Sequence, residues 1–219
     1  IGYFRNFFQN QLETSVEVYY KRLSNQIEYK DGYVMPMGRE LEWDFVFGTG
    51  ESYGVEVFIN KTIGKLTGWV GYTWSRTIRH FDDLATRNFP AKYDRAHDLS
   101  VVAVYEFKKK YTLGATFVFG SGQWYTPPLR KYIIENKIVV DWADRNSYKL
   151  EAYHRLDLSL TIKGKTTRKN KKLKRTSSET VISIYNVYNH LNPYLIYFDL
   201  SGNPYGGDLS IKAYKITIF

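Results

Sequence analysis

Three stretches of this sequence alternate apolar and polar residues over about ten consecutive positions, and no other feature limits the possible fold as much. In 98–107, Leu99, Val101, Ala103, Tyr105 and Phe107 fall on one side, with Asp98, Ser100 and Glu106 on the other. In 111–119, Tyr111, Leu113, Ala115, Phe117 and Phe119 are set against Thr112, Gly114, Thr116 and Val118. In 154–163, Leu156, Leu158, Leu160 and Ile162 are set against Arg155, Asp157, Ser159, Thr161 and Lys163. Successive side chains of a strand point to opposite faces, so each stretch reads as a strand with one dry and one wet side. Strands of globular proteins average about five or six residues, whereas about nine to eleven carry a tilted strand across a bilayer. These three match the second length.

Weaker alternation marks 1–8, 12–23, 52–61, 65–77, 179–188 and 209–219, which brings the expected total to nine strands. The connections fall into two alternating classes. Those at 9–11, 62–64 and 108–110 are short and 164–178 is moderate, whereas 24–51, 78–96, 121–152 and 189–208 are long. All six prolines, Pro36, Pro90, Pro127, Pro128, Pro193 and Pro204, lie in the long class, outside any uninterrupted ladder. Short turns at one end and long loops at the other are the arrangement of an outer-membrane barrel. The expected fold is therefore all-β, an antiparallel transmembrane β-barrel. Within 121–152, Tyr132–Ile134 and Ile138–Val140 flank Glu135-Asn136-Lys137 and predict a hairpin that projects beyond the membrane. Bacterial single-chain barrels have even strand counts, so nine strands predict that 1–219 is the C-terminal part of a larger barrel.

Composition agrees with this architecture. No uninterrupted run of 18 or more apolar residues occurs, which excludes a membrane-crossing helix and leaves a barrel open. A mean hydropathy of −0.42 is compatible with a barrel, because only alternate strand residues meet lipid. Of the formal charge of +9, eight basic residues lie between Lys163 and Arg175, so the remainder is close to neutral. That block reads as a hydrated turn or as a contact with anionic outer-membrane lipid, and no nucleic-acid partner is expected. Cysteine is absent, which excludes disulfides and thiolate metal sites.

Signals for chemistry are sparse. The four histidines, His80, His97, His154 and His190, are scattered without ligand spacing, so neither a metal nor a cofactor is expected. No catalytic residues stand out, and the chain is not expected to be an enzyme. The least remote hydrolytic set would bring His154 to Ser159 or Ser183. His97 and His154 read as hydrogen-bonding groups at strand starts. Asp94, Arg95, Asp98, Arg155 and Asp157 read as ionic groups of the lumen or rim, structural in role, with Asp94-Arg95 and Arg155-Asp157 expected to form an ionic ladder inside the lumen. Loop aromatics are the candidate ligand surface: Trp43, Trp124, Tyr125, Trp142 and Tyr194, with Phe45, Phe47 and Tyr197 beside them. Trp69, Tyr72, Trp74, Tyr105, Phe107, Tyr111, Tyr185 and Tyr188 lie towards strand ends, where an aromatic girdle is expected.

Several segments, in order, resemble the C-terminal half of the barrel in TonB-dependent outer-membrane receptors. They are Tyr53-Gly54-Val55-Glu56-Val57, then Gly64 to Arg76 (GKLTGWVGYTWSR), Phe89 to Asp98 (FPAKYDRAHD) and Arg145-Asn146-Ser147-Tyr148. Tyr153 to Ser159 (YHRLDLS), Ile184 to Asn189 (IYNVYN), Asn192-Pro193-Tyr194 and a final Phe219 complete the set. The resemblance implies a 22-stranded barrel closed by an N-terminal plug, importing a scarce nutrient with energy from the TonB system. The plug and the TonB-contacting segment would lie outside these residues. Phe219 resembles the terminal aromatic of the membrane-assembly signal. It is out of register with the apolar set Tyr214, Ile216 and Ile218, which predicts a bulge or a true end beyond 219. The alternative role is a receptor-like barrel serving as a docking subunit for a surface lipoprotein or other outer-membrane chains. Siderophore, cobalamin, glycan and peptide all remain open as substrates, because loop chemistry varies independently of the wall.

Overall fold

The computed structural model describes residues 1–31, 41–135, 137–164, 178–201 and 210–218. The wall is one antiparallel sheet. It contains β1 (Gly2–Phe7), β2 (Leu12–Tyr29), β3 (Phe45–Lys61) and β4 (Leu66–His80), and three-residue β5 (Asn88–Pro90) pairs with the end of β4. The order continues through β6 (His97–Lys108), β7 (Tyr111–Gly120), β12 (Tyr153–Lys163) and β13 (Glu179–Ile184). The sheet is open, with β1 and β13 at its edges. Between β7 and β12 lie β8 (Trp124–Tyr125), β9 (Pro128–Ile134), β10 (Lys137–Trp142) and β11 (Tyr148–Lys149), which pair as β9 with β10 and β8 with β11. The β9–β10 ladder is the expected loop hairpin.

Register carries the alternation across the whole wall. Val16 faces Val57, which faces Tyr72, which faces Leu99 and then Phe119. Val101 faces Phe117 and then Leu156, while Ala115 faces Leu158 and then Ile184. These apolar rows make one continuous outer belt, so a one-residue slip of any strand would turn a polar row towards lipid. Buried apolar residues, by contrast, are few. The core cluster is Val46, Phe81, Leu84 and Phe89, and it lies in the long-loop layer at the end of β3 and β4. A sheet with its apolar face outward and its packed core in the loops suits a bilayer, where lipid covers the belt.

The wall is stepped. Strands β2, β3 and β4 run 18, 17 and 15 residues, whereas β6, β7 and β12 run 12, 10 and 11. β2 and β3 therefore extend beyond the expected 12–23 and 52–61. A register shift between Leu23 and Gln26, with Asn25 at φ 53°, carries the β2–β3 ladder on to Tyr29↔Phe45. That bulge and the Gly48-Thr49-Gly50 run hide the extension from a period-2 reading. The short turn after β1 is tight, with Phe8, Gln9 and Asn10 all at positive φ.

The end of the chain departs from expectation. Residues 192–199, read as loop, form β14 (Asn192–Asp199), which pairs with β15 (Lys212–Ile218) in a separate two-stranded sheet. The expected wall strand 209–219 is thus β15 in a hairpin, with Tyr197↔Tyr214 and Leu195↔Ile216 opposite one another. Pro193 sits at that ladder's register shift, Pro128 opens β9 and Pro90 ends edge strand β5, positions where a missing N–H costs little. Phe219, Pro36, Pro204 and most of the basic block lie outside the described residues.

Candidate functional site

The polar face forms the inner wall. Row by row it carries Glu13 opposite Asn60, Glu17 opposite Glu56, and Thr73 opposite Asp98, which in turn faces Gly120. Asn60 donates to Glu13 at 2.9 Å. Glu17 and Glu56 face each other directly across the β2–β3 ladder, a like-charge pair that a sheet alone does not favour.

Near the long-loop end, Arg155 and Asp157 stand two residues apart on this face. The Arg155 Nε donates to both oxygens of Asp157 at 3.0 Å, and its Nη2 lies 2.9 Å from Oδ2. The guanidinium also donates to the Tyr153 and Tyr185 hydroxyls and lies 4.0 Å from the Tyr185 ring centroid. Asp157 in turn accepts the Asn186 amide at 2.9 Å, holding the bulge where β13 ends.

Asp94 pairs with Arg76, apart from the Arg155–Asp157 pair. β6 stops pairing with β4 at Trp74 and β5 begins at Ile78, leaving a gap in the ladder. The Asp94 carboxylate fills it, accepting the Thr77 N–H at 2.7 Å, the Arg76 guanidinium at 3.3 Å and the Trp124 indole N–H at 3.2 Å. Its side chain is 1% exposed, so this carboxylate replaces strand partners and is saturated. Arg95 goes elsewhere: its guanidinium lies over Gly120, where an added Cβ would meet Nη1 at 2.9 Å. Asp98 is exposed on the inner face.

The loop aromatics divide into packed and open groups. Trp124 is committed, with Asp94 on its indole N–H and the Lys149 ammonium 4.3 Å from its ring centroid. Tyr125 packs between Tyr148 and Phe198, at 6.2 and 6.1 Å between centroids. Trp43, Trp142 and Tyr194 are exposed. Trp142 borders a crevice of about 570 Å³ and Tyr194 a second of about 480 Å³. Two girdle candidates turn inward instead. Trp69 pairs with Asn60 and Val102 in the inner rows and packs on Phe58, and Tyr185 holds Arg155.

His97 and His154 belong to the outer rows, opposite Trp74 and Phe119. The Tyr72 hydroxyl is 2.8 Å from His97 Nδ1, and the Tyr188 hydroxyl is 2.9 Å from His154 Nδ1. His154 stacks on His190 at 3.8 Å. Ser159 faces Ser183 on the inner side, so His154 and these serines lie on opposite faces and form no hydrolytic set.

Sequence reading missed the residue that ties the loops together. Arg145, 17% exposed, donates to Glu28 at 3.0 Å, to the Tyr29 carbonyl at 2.9 Å and to Asp31 at 2.8 Å. Asp31 also accepts the Ala85 amide at 2.9 Å. Burial pushes the Asp31 carboxyl up, but these hydrogen bonds and the Arg145 charge outweigh it and hold it below its ordinary value. The positive φ of Asn146 marks this corner, and its side-chain amide donates to the Pro90 carbonyl at 2.8 Å.

A lipid-facing belt, a polar inner wall and braced loops above one end define a segment of a membrane β-barrel with an elaborated mouth. Residues 2–189 match the TonB-dependent receptor-like β-barrel family, and the chain belongs to that family. The fold is similar to the ferripyoverdine receptor of the outer membrane of Pseudomonas aeruginosa, solved bound to ferripyoverdine, at a TM-score of 0.54 and 16% identity. That similarity covers 97% of this chain and 24% of the receptor, so the chain spans about a quarter of its length. No curated protein matches the sequence. Family membership identifies the chain as barrel wall of the outer-membrane receptor type.

Proposed function

We propose that the chain is the C-terminal portion of the wall of an active receptor that binds a scarce nutrient at the cell surface and imports it through a plugged barrel. The observation that carries this reading is the inner face. Glu17 and Glu56 oppose one another, and among the described residues no cation is paired to either, which suits a wall covered by a separate polar body that brings positive charge. A water-filled pore would tolerate the pair, but a plug with basic groups would use it. Energy would come from TonB through that plug, on residues other than these.

The test is uptake in cells carrying the full-length receptor on the only available source of the nutrient. Loss of uptake on deleting either the receptor or TonB supports the reading. Uptake that persists without TonB overturns it and leaves the wall as a docking subunit.

A further inference from the structure

Most charges around the inner mouth are answered within the chain. Asp94 is taken by Arg76, Arg155 by Asp157 and Glu151 by Lys215. Lys92 and Arg95 are left over. Among the described residues, no carboxylate lies within 4 Å of either cation. Asp98, which faces Gly120 across the β6–β7 ladder, makes no ion pair with Arg95.

Both cations line the crevice of about 480 Å³ together with Tyr93, Tyr153 and Tyr194, and the one carboxylate of its lining, Glu151, is paired with Lys215. The Arg95 guanidinium lies over Gly120, where an added Cβ would approach Nη1 to 2.9 Å and push that flexible end aside. Tyr93 and Tyr194 are 71% and 64% exposed. Two unanswered cations in a concave site concentrate anions there, and a guanidinium presents paired N–H donors that fit a carboxylate or phosphate. Exposed tyrosine faces add a flat surface against which a ring can lie.

We propose that this crevice binds a small anionic ligand, a carboxylate or phosphate group on a ring-bearing molecule, with Arg95 and Lys92 holding the anion and Tyr93 and Tyr194 flanking the ring. The assignment rests on the receptor reading and names the charge class of what that receptor takes. Arg95 supplies directional hydrogen bonds, and Lys92, with its ammonium 5.5 Å from the Tyr93 ring centroid, supplies field. Gly120 positions Arg95 and touches no ligand.

The test uses calorimetric titration of the full-length receptor in detergent with three probes: trigalacturonate, inorganic phosphate and neutral maltotriose. At least one anion should bind about tenfold or more tightly than maltotriose, and its affinity should fall with added salt. Arg95→Gln should lose about tenfold, and Arg95→Lys should recover part of that loss. Gly120→Val, which keeps both charges and crowds the guanidinium, should weaken binding in the same direction as Arg95→Gln by a smaller factor. Heat-modifiable gel mobility verifies that each variant is assembled. Anions that bind no tighter than maltotriose, or an affinity unmoved by both Arg95→Gln and Gly120→Val, overturn the proposal. TonB-dependent uptake with no anion binding rejects the crevice alone, whereas anion binding without TonB-dependent uptake rejects import and keeps the site.

Discussion

Leu158 and Ser159 are neighbours in the middle of β12 and differ in the face they present, which makes them a direct probe of the wall's polarity. Leu158 stands in the outer belt between Ala115 and Ile184, and Ser159 on the inner side between Gly114 and Ser183. Arginine on the lipid side at mid-depth costs about 2–4 kcal/mol. At 1.4 kcal/mol per factor of ten, Leu158→Arg should lower the folding equilibrium constant by about 30- to 700-fold. Ser159→Arg should cost no more than about 0.5 kcal/mol, because the missing side chain of Gly114 leaves room and Asp157 is two residues away on the same face. The assay is a urea titration of the full-length receptor in lipid vesicles, read by the mobility of unheated protein on gels. Equal costs at the two positions, or a larger cost at Ser159, would refute the assignment of faces.

Arg145→Ala should leave assembly intact but free the loop corner it braces. An expected local cost of about 1–3 kcal/mol would appear as faster proteolysis between residues 126 and 148. The tie between Asp31 and Arg145 has a calculable pH dependence. The carboxyl is held below its ordinary value of 3.8, so its contribution is present above that value and is lost as pH falls through and below it. Amide exchange at Ala85 should therefore be flat from about pH 8 to about pH 5, after correction for intrinsic rates, and accelerate in more acid solution. Glu17→Gln or Glu56→Gln should stabilise the barrel by about 0.2–1 kcal/mol when its plug is removed, and destabilise the complete receptor. A double-mutant comparison with and without the plug reads both signs.

The wall was legible in the sequence because bilayer and lumen impose period 2 on long strands, and eight of the nine expected strands lie in one sheet. Its extensions were not, since Ser24-Asn25 and Gly48-Thr49-Gly50 carry turn composition, while the ladder absorbs Ser24-Asn25 as a bulge and resumes at Gln26↔Gly48. β14 was hidden for a related reason: Asn192-Pro193 reads as a break, and the hairpin absorbs it at a bulge. The Arg155–Asp157 contact follows from two residues on one strand face. Asp94 with Arg76, and Arg145 with Glu28 and Asp31, join residues 18 and more than 110 positions apart, and no local pattern encodes such meetings.

The step between β2–β4 and β6–β12 has a geometric consequence. At about 3.3 Å per residue and a tilt near 45°, β7 rises about 23 Å, close to the apolar band, whereas β2 rises about 42 Å. On one flank the wall strands themselves carry the rim beyond the apolar band, whereas above β7 and β12 that height is built by the β8–β11 and β9–β10 ladders, which Arg145 ties to Glu28 and Asp31 at the far end of β2. One side of the rim is thus continuous ladder and the other is folded loop, so loop sequence can remodel the second while the first stays fixed by the register of the wall.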